Sequence, residues 1–160
     1  METLVLTPTY EEERNKPMPS KNHAILQKRL IVALSVRYNS TYEILSEISL
    51  DLDDWQSTPD LAIYPKMQID FNSDEIRLTE APLGVIEILS PTQTLQELTD
   101  KIAKYFKAGT SSCWLLLPTL QSIFVFSDAK THAVFQEHDL LEDKKLNIQL
   151  DLKEIFGNPS

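Results

Sequence analysis

The stretch that most constrains this chain covers residues 81–109 and reads APLGVIEILSPTQTLQELTDKIAKYFKAG. Its first half is an apolar run with a single acid, Glu87, at its centre. A short apolar run bounded by turn residues is typical of a buried strand. Burying an unpaired carboxylate costs several kcal/mol, a large fraction of the net stability of a domain. We therefore expect a partner for Glu87 elsewhere in the fold.

The second half of this stretch predicts an amphipathic helix that starts at Thr92 or Thr94 and is capped at its C-terminus by Gly109. Its apolar residues recur at helical spacing: Leu95, Leu98, Ile102, Tyr105 and Phe106. At about 100° per residue, Lys101 falls beside this stripe, whereas Lys104 points away from it. The pattern therefore directs Lys101 toward the sheet.

The rest of the chain predicts one more long helix and several strands. HAILQKRLIVALSVRY is helical, starting near Ser20 or Asn22 and ending near Tyr38. Strand patterns occur in TYEILSEISLDL, which includes Glu47, and in TPDLAIYP, HAVFQE and LNIQL. SCWLLLP and SIFVF are expected to form a hairpin, and LKEIF a closing helical turn. Residues 66–81 show no clear period and indicate a loop. The order predicts an α/β fold with a mixed sheet.

Length and composition limit the alternatives. A chain of 160 residues is expected to form a single domain, here with residues 1–20 as an N-terminal arm. One cysteine excludes an intramolecular disulfide, and three glycines cannot form the dinucleotide or P-loop motifs. The three histidines do not form HExxH, so zinc hydrolase chemistry is not supported.

No apolar run approaches the roughly 20 residues of a membrane span, and the first residues do not resemble a signal peptide. We expect a cytoplasmic protein that does not bind membranes.

The formal charge of −9 argues against a generic basic surface for nucleic acids. It does not exclude a nuclease, because a site for divalent cations requires carboxylates and the bound metal reverses the local field.

Three residues form the candidate site: Asp60 at the start of one strand, Glu87 near the end of another, and Lys101 on the next helix. Two neighbouring carboxylates either bind a divalent metal or have a raised pKa. A lysine beside them can position water or stabilise charge on a phosphate. This set suffices for metal-assisted phosphodiester hydrolysis. Structural roles are the alternative: Asp60 would cap a turn, and Glu87 with Lys101 would form a buried salt bridge.

Further residues are secondary candidates. Glu47 and Glu13 would supply an additional metal contact, although solvated positions explain them equally well. His23 stands at a helix start, where capping or packing is more expected than catalysis.

The ordered set PMPSKNH, TPDLAIYP, VIEILSPTQ and DKIAKYFKAG followed by CWLLLP resembles the Uma-two type restriction endonuclease family, within the PD-(D/E)xK restriction-endonuclease-like superfamily. The resemblance covers roughly residues 10–126. It implies a mixed central sheet flanked by helices, with Mg²⁺ or Mn²⁺ bound by Asp60 and Glu87. The lysine of the superfamily motif would fall at Leu89. In this family the lysine comes instead from K-x-x-x-Y, which here is Lys101 with Tyr105.

The resemblance implies a Mg²⁺-dependent endonuclease that hydrolyses the phosphodiester bonds of DNA. A homodimer would suit cleavage of both strands. The alternative is a catalytically inactive relative that keeps the nuclease fold as a binding or regulatory module. The acidic composition and departures from the family pattern, such as Leu117 in place of an acid, motivate that alternative.

Overall fold

The computed structural model of the protein describes residues 16–158, so the prediction for Glu13 lies outside the described residues. The helices are α1 (Lys21–Tyr38), α2 (Leu95–Lys107) and α3 (Lys153–Phe156). The strands are β1 (Tyr42–Ser46), β2 (Ser49–Leu52), β3 (Trp55–Ser57), β4 (Leu61–Pro65), β5 (Arg77–Leu78), β6 (Gly84–Ile88), β7 (Ser112–Leu117), β8 (Ser122–Asp128), β9 (Thr131–Gln136), β10 (Leu140–Asp143) and β11 (Ile148–Asp151).

A six-stranded sheet in the order β1-β4-β6-β7-β8-β9 forms the centre of the fold. β6 and β7 are parallel and are connected through α2, whereas the other neighbouring pairs are antiparallel. The predicted α/β class with a mixed sheet is therefore confirmed. Strands β3, β2 and β5 form a smaller sheet, and β10 pairs with β11.

Alternating side chains of the central strands enter two separate hydrophobic clusters. One includes Leu61, Ile86 and Trp114, together with the buried side of α1. The other includes Val85, the residue directly before Ile86 in β6, together with the buried side of α2. Because successive residues of a strand point to opposite faces, α1 and α2 cover opposite faces of the sheet. Glu87, two residues after Val85, shares the face that α2 covers.

The helix boundaries follow the predicted caps. The Ser20 side chain accepts a hydrogen bond from the backbone of His23 at the start of α1, and Thr94 does the same for Glu97 at the start of α2. At the end of α2, Gly109 has a φ of +111°, a backbone conformation that favours glycine.

Glu47 is not on a continuous strand, which corrects the prediction for residues 42–52. The strand breaks after Ser46, and Glu47 has a φ of 55° in the left-handed region. Its backbone N–H donates to the carbonyl of Asp60 at 3.2 Å. The chain leaves the central sheet at this kink, because β1 pairs with β4 whereas β2 pairs with β3.

None of the helices within residues 16–158 is both long enough and apolar enough to cross a membrane.

Candidate functional site

The central strands β4 and β6 bring the two predicted acids together. Leu61 pairs with Ile86 in the antiparallel ladder, so continuing this register by one residue sets Asp60 opposite Glu87. The Asp60 Oδ2 atom accepts a hydrogen bond of 2.7 Å from the backbone N–H of Ile88. Both acids are buried, with 1% of Asp60 and 2% of Glu87 exposed. The expected pair of neighbouring carboxylates is present.

The second carboxylate oxygen of Asp60 faces two cationic or ionisable groups. Lys16 Nζ lies 2.6 Å from Asp60 Oδ1, and His23 Nε2 lies 3.1 Å from the same atom. Lys16 Nζ also lies 2.9 Å from Glu47 Oε2. We call Lys16, His23, Glu47, Asp60 and Glu87 the carboxylate cluster.

Charge balance inside the cluster sets the protonation of Asp60 and Lys16. Burial alone raises the pKa of Asp60, but the hydrogen bond from His23 and the charge of Lys16 outweigh burial and hold that pKa below its ordinary value. Burial alone lowers the pKa of Lys16, yet the charges of Asp60 and Glu87 raise it above its ordinary value. Asp60 is thus held as a carboxylate and Lys16 as an ammonium.

Glu87 has a different partner from the one expected. Its Oε1 atom accepts a 3.0 Å hydrogen bond from the hydroxyl of Tyr105, which lies 2.6 Å from Ser57 Oγ. Burial, followed by the charge of Asp60, raises the pKa of Glu87 to about 7. Lys101 and Lys16 oppose this shift through their charges. Tyr105, the tyrosine of the K-x-x-x-Y pattern, therefore contacts Glu87 directly.

Lys101 acts on Glu87 through charge and not through an ion pair. It is half-buried on α2, and within residues 16–158 no salt bridge joins it to Glu87. The structural salt bridge considered as an alternative is therefore not found. Lys101 lines a cleft of about 590 Å³ together with Lys16 and Trp55. We call this space the lysine cleft.

Lys104 also lines the lysine cleft, which corrects the expectation that it points away from the site. Its ammonium lies 5.6 Å from the centre of the Trp55 ring. The backbone direction predicted by helical spacing is unchanged, but the long methylene stem lets the charged end fold back onto the aromatic face.

Lys16 is the site residue that sequence reasoning missed. It lies outside any helix or strand, so neither periodicity nor a cap marked it. His23 contacts Asp60, a role that its place at the helix start does not predict. Its spacing along the helix, however, does indicate a buried position. It is buried on the same side of α1 as Leu26 and Leu30, at spacings of three and four residues. A histidine on a buried helix face needs a polar partner, and here that partner is Asp60.

The cluster offers oxygen ligands for a cation. No three His, Cys, Asp or Glu side chains among the described residues are already arranged to hold a metal ion. Instead, oxygens of Asp60 and Glu47 contact the Lys16 ammonium, which is itself a cation with a single positive charge. Carboxylate oxygens are the ligands that Mg²⁺ and Ca²⁺ prefer. The donor chemistry therefore fits a hard divalent ion, provided that the Lys16 side chain moves.

Comparisons with known proteins support a nuclease-like identity. A family model described as "Uma2: Putative restriction endonuclease" matches residues 11–153. The fold is similar to a crystal structure from Anabaena variabilis ATCC 29413, described as "a putative nuclease belonging to DUF820", with a TM-score of 0.75 and 25% sequence identity. The similarity covers 88% of this chain and 83% of that one. No curated protein matches the chain.

Proposed function

Because the chain belongs to the Uma2 family, we propose that it is an endonuclease that uses Mg²⁺ or Mn²⁺ to hydrolyse phosphodiester bonds in DNA. One observation carries this proposal. Two buried acids, Asp60 and Glu87, lie side by side at the end of neighbouring strands, next to a cleft lined by lysines.

In this proposal Asp60 and Glu87 hold the metal, and Glu47, which shares the Lys16 ammonium with Asp60, would move toward the ion to add a third carboxylate. The raised pKa of Glu87 supports the assignment, since burial and the charge of Asp60 both disfavour its ionised form. A divalent cation between the acids would remove that repulsion. When bound, such an ion activates water and polarises the phosphate.

The neighbouring side chains have supporting roles. Tyr105 fixes the Glu87 carboxylate by donating to it, and His23 fixes Asp60 from the opposite face of the sheet. Lys101 is close enough to affect the pKa of Glu87 but has no ion-pair partner among the described residues. Its ammonium is therefore available to orient water or to stabilise charge that develops on a phosphate oxygen.

The lysine cleft is the proposed binding surface for DNA. The chain as a whole is acidic, with a formal charge of −9, yet on the lining of the cleft the lysines Lys16, Lys101 and Lys104 outnumber the acids Glu97 and Asp100. Lysines neutralise the phosphates of DNA. A homodimer would bring two such clefts to the two strands of a duplex.

Plasmid nicking tests the proposal. We expect the wild-type protein to nick supercoiled plasmid with Mg²⁺ or Mn²⁺ and to stop when EDTA is added. Glu87→Gln and Asp60→Asn should each lower the rate by at least about a hundredfold, the scale at which removal of one group that stabilises the transition state acts. Glu75→Gln is the control, because Glu75 is an exposed carboxylate outside the cluster. Equal nicking by the wild type and Glu87→Gln would refute the proposal.

One observation favours a second candidate, a nuclease-fold module that binds without cutting. The Lys16 ammonium already forms ion pairs with both Asp60 and Glu47 inside the site. A module of this kind would bind no divalent ion through these acids. Titration with Mn²⁺ separates the two candidates, because only the endonuclease should show binding that Asp60→Asn abolishes.

A further inference from the structure

We propose that the Lys16 ammonium is an internal occupant of the cation site and that a divalent ion binds there only after Lys16 leaves. This inference rests on the proposed metal-dependent function. It adds that a side chain of the protein itself competes with the metal ion for the site.

Distances make the two cations mutually exclusive at Asp60 Oδ1, an oxygen of a proposed metal ligand, and at Glu47 Oε2, an oxygen of the proposed third carboxylate. Lys16 Nζ is 2.6 Å from Asp60 Oδ1 and 2.9 Å from Glu47 Oε2. A Mg²⁺ or Ca²⁺ ion bound to the same oxygens would lie about 2.0–2.6 Å from them. The ammonium therefore fills the volume that the ion needs. Two positive charges also cannot share these oxygens without strong repulsion.

The environment of Lys16 shows that this contact is specific. Lysine is almost never buried unless it is paired, and Lys16 is only 9% exposed. Its ammonium contacts two carboxylates, those of Asp60 and Glu47. A loosely held surface lysine would show neither this burial nor these two contacts.

Lys16 can leave without unfolding a helix or a strand. It precedes α1 in a segment without regular secondary structure. Its side chain also borders the lysine cleft. Withdrawal from Asp60 and Glu47 would thus move the ammonium toward the proposed path of DNA phosphates, where a positive charge is favourable.

The thermodynamic consequence is a weakened apparent affinity for metal. If the site is open in only a fraction of molecules, the apparent dissociation constant rises by the inverse of that fraction. Removing the ammonium removes this effect.

Calcium binding measured by calorimetry tests the inference. We expect Lys16→Met to bind Ca²⁺ at least about tenfold more tightly than the wild type, a difference that corresponds to about 1.4 kcal/mol. Lys104→Met is the matched control, since it removes the same charge from the same cleft but makes no contact with Asp60 or Glu47. Its Ca²⁺ affinity should change much less.

A second measurement uses the wild type, so it does not depend on whether a variant folds. Reductive methylation followed by mass spectrometry reports how accessible each lysine is. Saturating Ca²⁺ should increase the modification rate of Lys16 severalfold, whereas the rate for Lys28, exposed on α1, should stay constant.

The outcomes separate this inference from the proposed function. Equal Ca²⁺ affinity in the wild type and Lys16→Met, with Lys16 still protected at saturating Ca²⁺, would overturn the competition and leave the metal site intact. No Ca²⁺ binding by either protein would overturn the metal site, and the competition with it.

Discussion

Glu87 shows at the residue scale how the fold keeps an acid inside an apolar strand. The side chain is fully desolvated, and its direct partner is the neutral hydroxyl of Tyr105. Lysine charges reach it only from a distance. A neutral partner compensates a buried carboxylate less than a charged one does, so Glu87 keeps a pKa of about 7.

This pKa predicts how stability depends on pH. Above the ordinary pKa of 4.5, Glu87 loses its proton in the unfolded chain but keeps it in the folded protein until about pH 7. The folded state binds more protons in this window, so the contribution of Glu87 to the free energy of unfolding falls as pH rises through it. Glu87→Gln removes this loss. Relative to the wild type, the variant should gain up to about 3 kcal/mol between pH 5 and pH 7.5.

Urea unfolding of both proteins in EDTA at several pH values measures this gain. Titrating groups outside the carboxylate cluster affect the two proteins alike and cancel in the difference. A difference that stays constant between pH 5 and pH 7.5 would show that the pKa of Glu87 is not raised.

The sequence predicts some of these residues and not others for a physical reason. Glu87 interrupts an apolar run, and Asp60 lies at the boundary of another, so local context marks both. Lys16 has no such context. It contacts Asp60, 44 positions away, and only the path of the whole chain brings the two together.

At the scale of elements, α2 carries two site residues with different freedom. Tyr105 is fully buried, and its hydroxyl contacts Ser57 and Glu87. Lys101 lies four residues earlier, one helical turn away, and borders the lysine cleft. The helix therefore anchors one side chain and leaves the other available to a substrate.

Replacing Lys101 tests whether this side chain serves catalysis and not the stability of the fold. We expect Lys101→Met to lower the rate of plasmid nicking by at least about a hundredfold, with a free energy of unfolding close to that of the wild type, because Lys101 has no ion pair to lose within residues 16–158. The rate is measured on supercoiled plasmid and the stability in urea.

Lys28→Met is a better control than a change at Lys104, because Lys28 is exposed on α1 whereas Lys104 borders the cleft. If Lys101→Met cleaved like Lys28→Met, the assigned role of Lys101 would be wrong.

Elements with a clear local pattern are predictable from the sequence, whereas β3 and the break between β1 and β2 are not. The apolar stripe and the caps at Thr94 and Gly109 mark α2 without reference to the rest of the chain. β3 has only three residues and forms because β2 pairs with it. The break at Glu47 arises likewise from tertiary contacts, since its backbone donates to Asp60. Such contacts override local pattern.

On the scale of the whole molecule, the site joins elements that are far apart in sequence. α1 and α2 cover opposite faces of the central sheet, yet His23 from one and Tyr105 from the other reach neighbouring acids where β4 and β6 meet. The segment before α1 adds Lys16. We propose that this convergence forms a metal site.

Crystals soaked in Mn²⁺ test that claim most directly, because the anomalous signal locates the ion without assumptions about activity. We predict an anomalous peak within about 2.5 Å of carboxylate oxygens of Asp60 and Glu87, with the Lys16 side chain withdrawn from Asp60. A structure at saturating Mn²⁺ that shows no peak at these acids, with Lys16 still bound to Asp60 and Glu47, would show that they do not form a metal site.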